Sequence, residues 1–475
     1  MIDKKTKIIC TIGPSVESVD MITQLINTGM DAARLNFSHG EHAKHKQYIE
    51  NIKEACKITG KQIAIIADLQ GPKIRVGKLE NGYITLQENA EVQITSEDII
   101  GNESVISTTY PGLINELKIN EILLLDDGNI KLLITDIKRT KPEVTCKVII
   151  PGVLKQNKGI NIPFSALSLP SLTEKDMNDL DFAIANGVDF IAMSFVRTLD
   201  DVKLLKGILR SRGKELPIIA KIERPEAIQN IDEIIEATDM IMVARGDLGV
   251  EISVEEVPQL QKMIIKKCND KIKPVITATQ MLESMIGDQS PTRAEASDVA
   301  NSILDGTDCV MLSAETSTGL YPLQAVAMMK KIIQKTETHK KTTYFNEIFV
   351  EDSPENILHT LCNSACMIAE RVNAKAIIAV PTITGNTPLI ISNHRPAAQI
   401  IAVGFDERKL KRLKLVWGVE SMLTQERDDL QNIVEEIKER LIRNELFQKG
   451  DRIVIVSRNP IPLAPSANDI MVTAV

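Results

Sequence analysis

Paired cysteines, surplus positive charge and long apolar runs are all missing from this sequence. The seven cysteines (Cys10, Cys56, Cys146, Cys268, Cys309, Cys362 and Cys366) are scattered singly. Such spacing builds neither a disulfide framework nor a CxxC zinc site. Cys362 and Cys366, four apart on an expected helix, read as buried thiols. Lys and Arg total 56 against 64 Asp and Glu, for a net charge of -8. That balance excludes a surface built to neutralise nucleic acid, while leaving room for a local basic pocket. No apolar stretch is long enough to span a bilayer, and MIDKKTKIICTIGP passes straight into a strand-like run. Neither a membrane helix nor a signal or transit segment is expected, and the cytoplasm is the predicted compartment. There is no repeat or low-complexity tract.

What is present suits a globular chain of two or three domains: 475 residues, 43% hydrophobic and 25% charged. Short apolar runs recur at Lys7–Ile12, Asp31–Leu35, Gln62–Ala67, Val188–Met193, Pro217–Ala220, Asp239–Ala244, Pro274–Ala278 and Asp308–Leu312. Amphipathic segments such as Val254–Cys268 and Ala294–Leu304 separate them. Eight strands alternating with helices predict a closed parallel (β/α)8 barrel over 1–69 and 169–343. Between the third and fourth runs, residues 70–168 alternate apolar and polar residues around Gly, Asn and Asp turns. This predicts a small inserted antiparallel β domain, a β-barrel lid over the mouth. Residues 344–475, with strand-like runs at Ala376–Val380, Gln399–Val403, Val416–Met422, Arg452–Ser457 and Ile470–Ala474, predict a C-terminal open α/β domain.

Catalytic groups of such barrels cluster at the C-terminal ends of the strands. Those ends carry Thr11; Arg34 with Asn36 and Ser38; Asp68; Ser194; Lys221 with Glu223; Arg245 with Asp247; Thr279 with Gln280; and Ser313 with Glu315. Glu223 and Asp247 offer two hard carboxylates without a nearby His or Cys, which suits Mg²⁺ or Mn²⁺. Lys221 and Arg34 bring the fixed positive charge that a transferring phosphoryl group requires. A purely structural network of Lys221, Glu223 and Arg245 is the plainer alternative. Arg245-Gly-Asp-Leu-Gly adds backbone N–H groups at a strand-to-helix turn. His39, His42 and His45 fall on a Lys- and Glu-rich helix start and are expected to lie on its solvated face.

Several segments carry a resemblance: Ala33-Arg-Leu-Asn-Phe-Ser-His-Gly40, Ala220-Lys-Ile-Glu223, Val243-Ala-Arg-Gly-Asp-Leu-Gly249, Thr277-Ala-Thr-Gln-Met-Leu-Glu-Ser-Met285, Pro291-Thr-Arg-Ala-Glu295 and Asp305-Gly-Thr-Asp-Cys-Val-Met-Leu-Ser-Ala-Glu-Thr316. In order and spacing the sequence resembles pyruvate kinase, strongly up to about residue 343 and in layout beyond. The resemblance implies phosphoryl transfer from phosphoenolpyruvate to ADP, giving pyruvate and ATP in glycolysis. It implies Lys221 and Arg34 on the phosphoryl group, and Glu223 and Asp247 on the divalent ion. The Gly246 and Asp247 backbone would receive the substrate carboxylate, with Thr279 near the enolate carbon. Asn36, Phe37, Ser38, His39, Arg75 and Lys158 would contact the nucleotide, which brings a second Mg²⁺. A homotetramer and a sugar-phosphate or nucleotide effector are further implications.

Two departures stand out. Where many relatives hold K⁺ near groups matching Asn36, Ser38 and Asp68, this chain has Leu69 and Lys73 in place of Thr and Glu. An ammonium there repels a second cation, so activity without K⁺ is expected. The effector loop, Thr382, Thr384, Gly385, Asn386 and Thr387, keeps anion-binding groups, yet Asn386 replaces a basic residue found in several relatives. Another phosphoenolpyruvate-handling barrel enzyme, such as an aldolase or mutase, and a catalytically silent regulatory homologue are the competing readings.

Overall fold

The structure is a computed structural model describing residues 4–139, 141–163, 169–339, 354–380, 386–426, 429–443, 447–458 and 467–475. Eight parallel strands close into a barrel: Lys7–Thr11, Ala32–Asn36, Ala64–Asp68, Phe190–Met193, Ile218–Ile222, Met240–Ala244, Val275–Ala278 and Cys309–Leu312. They are counted here as the first to eighth barrel strands, and all eight expected runs supply one. Each is covered on both faces, which is why it reads as a continuous apolar run rather than an alternating one.

The pleat sends alternate residues to the two faces. Ile8, Cys10, Ala33, Leu35, Ile65 and Ala67 pack outward against the helices. Ile9, Ala32, Ala64, Ile66, Ala192, Ile219, Met242 and Met311 fill the interior. Two residues further along several of these strands stand Thr11, Arg34, Asp68, Ser194 and Lys221. The polar site is therefore the next inward layer above an apolar one, placed by the same period of two. Capping boxes start the flanking helices Glu174–Asn186, Leu199–Ser211 and Arg293–Asp305 at Thr173, Thr198 and Thr292.

Between the third and fourth barrel strands lie a six-stranded sheet and a two-stranded ribbon, mostly antiparallel, with one parallel pair. Their inward residues, among them Val92, Ile94, Leu123, Leu132, Ile134 and Val148, form one separate core. Where this insert leaves the barrel, Gly71 (φ 71°) passes so near Phe195 that a Cβ would fall 2.8 Å from its ring. The C-terminal part is a five-stranded sheet, four strands parallel and the edge strand Asp469–Ala474 antiparallel.

That last domain closes the barrel floor. Leu415 is fully buried among the interior barrel residues. Lys7, 1% exposed, donates to Val419 O at 2.9 Å and Glu420 Oε1 at 3.0 Å. Arg395 donates to Asp308 Oδ1 at 2.9 Å and Gly306 O at 2.7 Å. Trp417 lies under the cations of Lys5 and Arg395, at 5.0 and 4.9 Å. Among the described residues no helix is long and apolar enough to cross a membrane, and all seven cysteines are free thiols.

Candidate active site

Lys221 is the centre of the barrel mouth. It is 8% exposed, and its ammonium donates to Ser194 Oγ at 2.7 Å and pairs with Glu223 Oε1 at 2.8 Å and Asp68 Oδ1 at 3.3 Å. Burial disfavours its charge, but Asp68, Glu223 and Asp247 outweigh burial and hold it above the ordinary lysine value. Asp68 also accepts from Arg34 Nε at 2.7 Å. Burial pushes its pKa up, and the two cations more than reverse that, so Asp68 stays ionised. Arg34 reaches Thr11 Oγ1 at 3.0 Å as well.

Glu223, 1% exposed, accepts from Phe195 N at 2.8 Å. Its pKa is raised, first by burial and then by Asp247, with Lys221 opposing. A buried carboxylate whose charge is disfavoured beside a second carboxylate suits a further cation. Among the described residues no group of three or more His, Cys, Asp or Glu is placed to hold a metal ion. The donor set is thus a carboxylate pair, which fits a hard divalent ion completed by water and substrate oxygens.

Arg245 does not join that network. Its guanidinium turns away to Asp298 and to the carbonyls of Thr279 and Gln280, so of the plainer ion-pair alternative only the Lys221–Glu223 pair is present. Thr279 Oγ1 accepts from Gly246 N at 2.8 Å and donates to Ala278 O at 2.6 Å. The Gly246 amide expected on a substrate carboxylate is thus engaged with Thr279 here. On the eighth strand, Glu315 accepts from Ser313 N and Leu282 N and serves the local turn. Its carboxylate closes a loop rather than facing Lys221.

The expected nucleotide residues divide. Asn36 Oδ1 accepts from Ser38 N at 3.1 Å and shapes that loop. The ring of Phe37 is buried and stacked on His45 at 4.3 Å, which leaves its backbone as the part free to meet a nucleotide. The solvated-face reading of the histidines is corrected, because His45 is buried and bonds His39 O at 2.9 Å. His42 stacks on Phe182 and pairs with Asp179. His39 stays nearer the opening, its pKa lowered by burial and by Arg75, Lys73, Arg34 and Lys175. Across the mouth, Arg75 donates to Asn157 O at 2.9 Å, and Lys158 pairs with Asp126 at 2.7 Å.

Lys73 is not at Asp68. Its ammonium lies 3.8 Å from Asp127 of the insert, while Asp68 is taken by Arg34 and Lys221. Of the effector loop, Thr382, Thr384 and Gly385 lie outside the described residues, and Asn386 and Thr387 open the helix Asn386–Asn393.

Two contacts escaped the sequence reading. Glu251, buried, accepts from Arg224 and from Asn161 of the insert, both at 2.8 Å. Asp298 clamps Arg245 at 2.7 Å. The only sequence signal was an acidic residue on a helix, which does not name its partner.

Fold and site together define a (β/α)8-barrel enzyme whose charged mouth stands beneath an inserted β domain. Two family models match the chain: pyruvate kinase, barrel domain, over residues 3–326, and pyruvate kinase, alpha/beta domain, over 359–473. A pyruvate kinase of Geobacillus stearothermophilus is 45% identical over 98% of this chain and 79% of its own length. One of Corynebacterium efficiens is 42% identical over 99% of this chain and 98% of its own length. A crystal structure of a pyruvate kinase from Cryptosporidium parvum superposes with a TM-score of 0.92 at 37% identity, covering 99% of this chain and 96% of that one. The chain belongs to the pyruvate kinase family and is a phosphotransferase.

Proposed function

We propose that the chain transfers the phosphoryl group of phosphoenolpyruvate to ADP, giving pyruvate and ATP. The observation that carries this reading is the buried Lys221 ammonium, charge-balanced by Asp68 and Glu223 at the barrel mouth. A desolvated, fixed cation suits a phosphoryl group in flight, because it needs no reorganisation as charge develops. The bond from phosphorus to the enol oxygen breaks as a terminal oxygen of ADP bonds to phosphorus. The electron pair left on the enol oxygen passes to the terminal carbon, which takes a proton and becomes the methyl group of pyruvate.

Lys221 and Arg34 bind the transferring group. Glu223 and Asp247 would hold Mg²⁺ or Mn²⁺, which would supply Lewis-acid charge to the bound substrate. The Gly246 amide exchanges Thr279 for the substrate carboxylate. Thr279, whose own hydroxyl proton is committed to Ala278 O, accepts a hydrogen bond from the water that protonates the enolate. Asn36, Ser38, His39, Arg75 and Lys158, with the Phe37 backbone, face the nucleotide as the lid closes.

The reaction runs without K⁺ in this reading. Buried Leu69 has no side-chain oxygen to offer a cation, and Asp68 is already paired with Arg34 and Lys221. The loop from Thr382 to Thr387 would take a phosphorylated effector. The cytoplasm and a homotetramer complete the reading, supported by the free thiols and by the family.

Coupled measurement of pyruvate formed from phosphoenolpyruvate, ADP and Mg²⁺ tests it. Activity that Lys221→Met lowers at least a hundredfold is the expected result; full activity of that variant overturns the mechanism. A rate that collapses when K⁺ is replaced by a large organic cation at constant ionic strength overturns the K⁺ reading alone.

A further inference from the structure

Thr279 and Gln280 are consecutive non-glycine residues with positive φ, at 67° and 54°. A β-branched residue in the left-handed region is an outlier that persists only when its surroundings over-determine it. Thr279 is also where the proposed function puts control of the proton. Whatever holds this turn therefore sets the position of the hydroxyl.

The restraint is Arg245. Its Nη2 donates to Thr279 O at 2.8 Å and Gln280 O at 3.1 Å, and its Nε reaches Thr279 O at 3.3 Å. Both outlying carbonyls thus converge on one guanidinium that is 7% exposed. The same guanidinium is fixed from behind. Nη1 donates to both carboxylate oxygens of Asp298, at 2.7 and 2.8 Å, and to Gln261 Oε1 at 3.3 Å. Asp298 belongs to the helix Arg293–Asp305, and Gln261 to the helix Val257–Asp270. The turn is tied through Arg245 to two helices of the barrel wall. Arg245 itself is the residue before Gly246, whose amide meets the Thr279 hydroxyl. A planar fork with several fixed donors does this; a lysine, with one nitrogen, cannot hold both carbonyls and Asp298 at once.

We propose that Arg245, backed by Asp298, is a positioning residue for the proton-transfer half of the reaction. It holds Thr279 in its strained conformation and does not act on the phosphoryl group, which lies with Lys221 and Arg34. The proposal rests on the function given above, and the two fail differently. If the unaltered enzyme makes no pyruvate from phosphoenolpyruvate and ADP, the functional reading fails first.

Given activity, the test separates the two halves. ATP formation reports phosphoryl transfer, and exchange of the methyl protons of pyruvate with D₂O, followed by NMR with Mg²⁺ and phosphate present, reports proton transfer. Arg245→Lys is expected to slow the exchange at least tenfold while ATP formation falls less than threefold. Gln280→Gly, added to Arg245→Lys, removes part of the backbone strain and is expected to recover at least threefold in exchange. Asp298→Asn, which keeps the shape but not the charge, is expected to show the same split more weakly. Equal losses in both halves, no loss in exchange, or no recovery with glycine would overturn the proposal. Circular dichroism identifies a variant that has merely unfolded, and Asp298→Asn then decides the question.

Discussion

Asp68 shows what one buried charge does for both stability and chemistry. It is 1% exposed and balances Arg34 and Lys221 together. Its pKa is depressed in the folded state, so it contributes stability that is fully present above the unfolded value of about 4 and is lost as pH falls through the lower folded value. Asp68→Asn should flatten the acid limb of a stability-against-pH curve. At neutral pH it should cost about 3–5 kcal/mol by urea denaturation, because two buried cations lose a partner. An unchanged acid limb would remove Asp68 from that role. Lys221→Met acts differently: its kcat should fall about 10²–10³-fold, the scale expected when one electrostatic stabiliser is lost, with the fold intact.

At the scale of elements, the barrel strands were readable because burial on both faces leaves a run of apolar residues and nothing else. The insert was less so. Its longest strand, Ile130–Lys138, breaks alternation at a register shift between Ile134 and Asp136 and left no clean period-two signal. Side-chain direction at strand ends was not readable either. Lys221 and Arg245 look alike in sequence, yet one faces the mouth and the other turns to Asp298. His45 was misread because a polar helix start gives no hint that Phe37 lies beneath it. Two elements offer direct checks. Thr292→Ala removes the capping box of Arg293–Asp305 and should cost about 1 kcal/mol, seen as a lower Tm. Glu251→Ala cuts the tie between Asn161 and Arg224. Limited proteolysis should then cleave the connections between insert and barrel faster than in the parent; equal rates would show that the tie does not restrain the insert.

For the whole molecule, the barrel and the C-terminal sheet share one floor. The sequence predicted both units and said nothing of their joint, since Lys7, Asp308, Arg395 and Leu415 are ordinary residues until the fold brings them together. The joint has a built-in reporter in Trp417, the one tryptophan of the chain, buried between Lys5 and Arg395. Arg395→Ala strands Asp308 in a buried position and should cost about 3–5 kcal/mol. Tryptophan emission should then shift to the red at lower urea than the loss of helical ellipticity. Coincident transitions would mean that the joint survives without this pair.

Lys7 and Glu420 are separated by 413 residues of chain. A ribosome adding about 5–20 residues per second needs roughly 20–80 s to travel that distance. Throughout that interval Lys7 lacks its partner, and once the eighth strand ending at Leu312 has been made the barrel still lacks Leu415 at its floor. The floor contacts of Lys7 and Leu415 therefore form only after the C-terminal segment has been made. The last native contacts of the first strand thus wait for the far end of the same polypeptide.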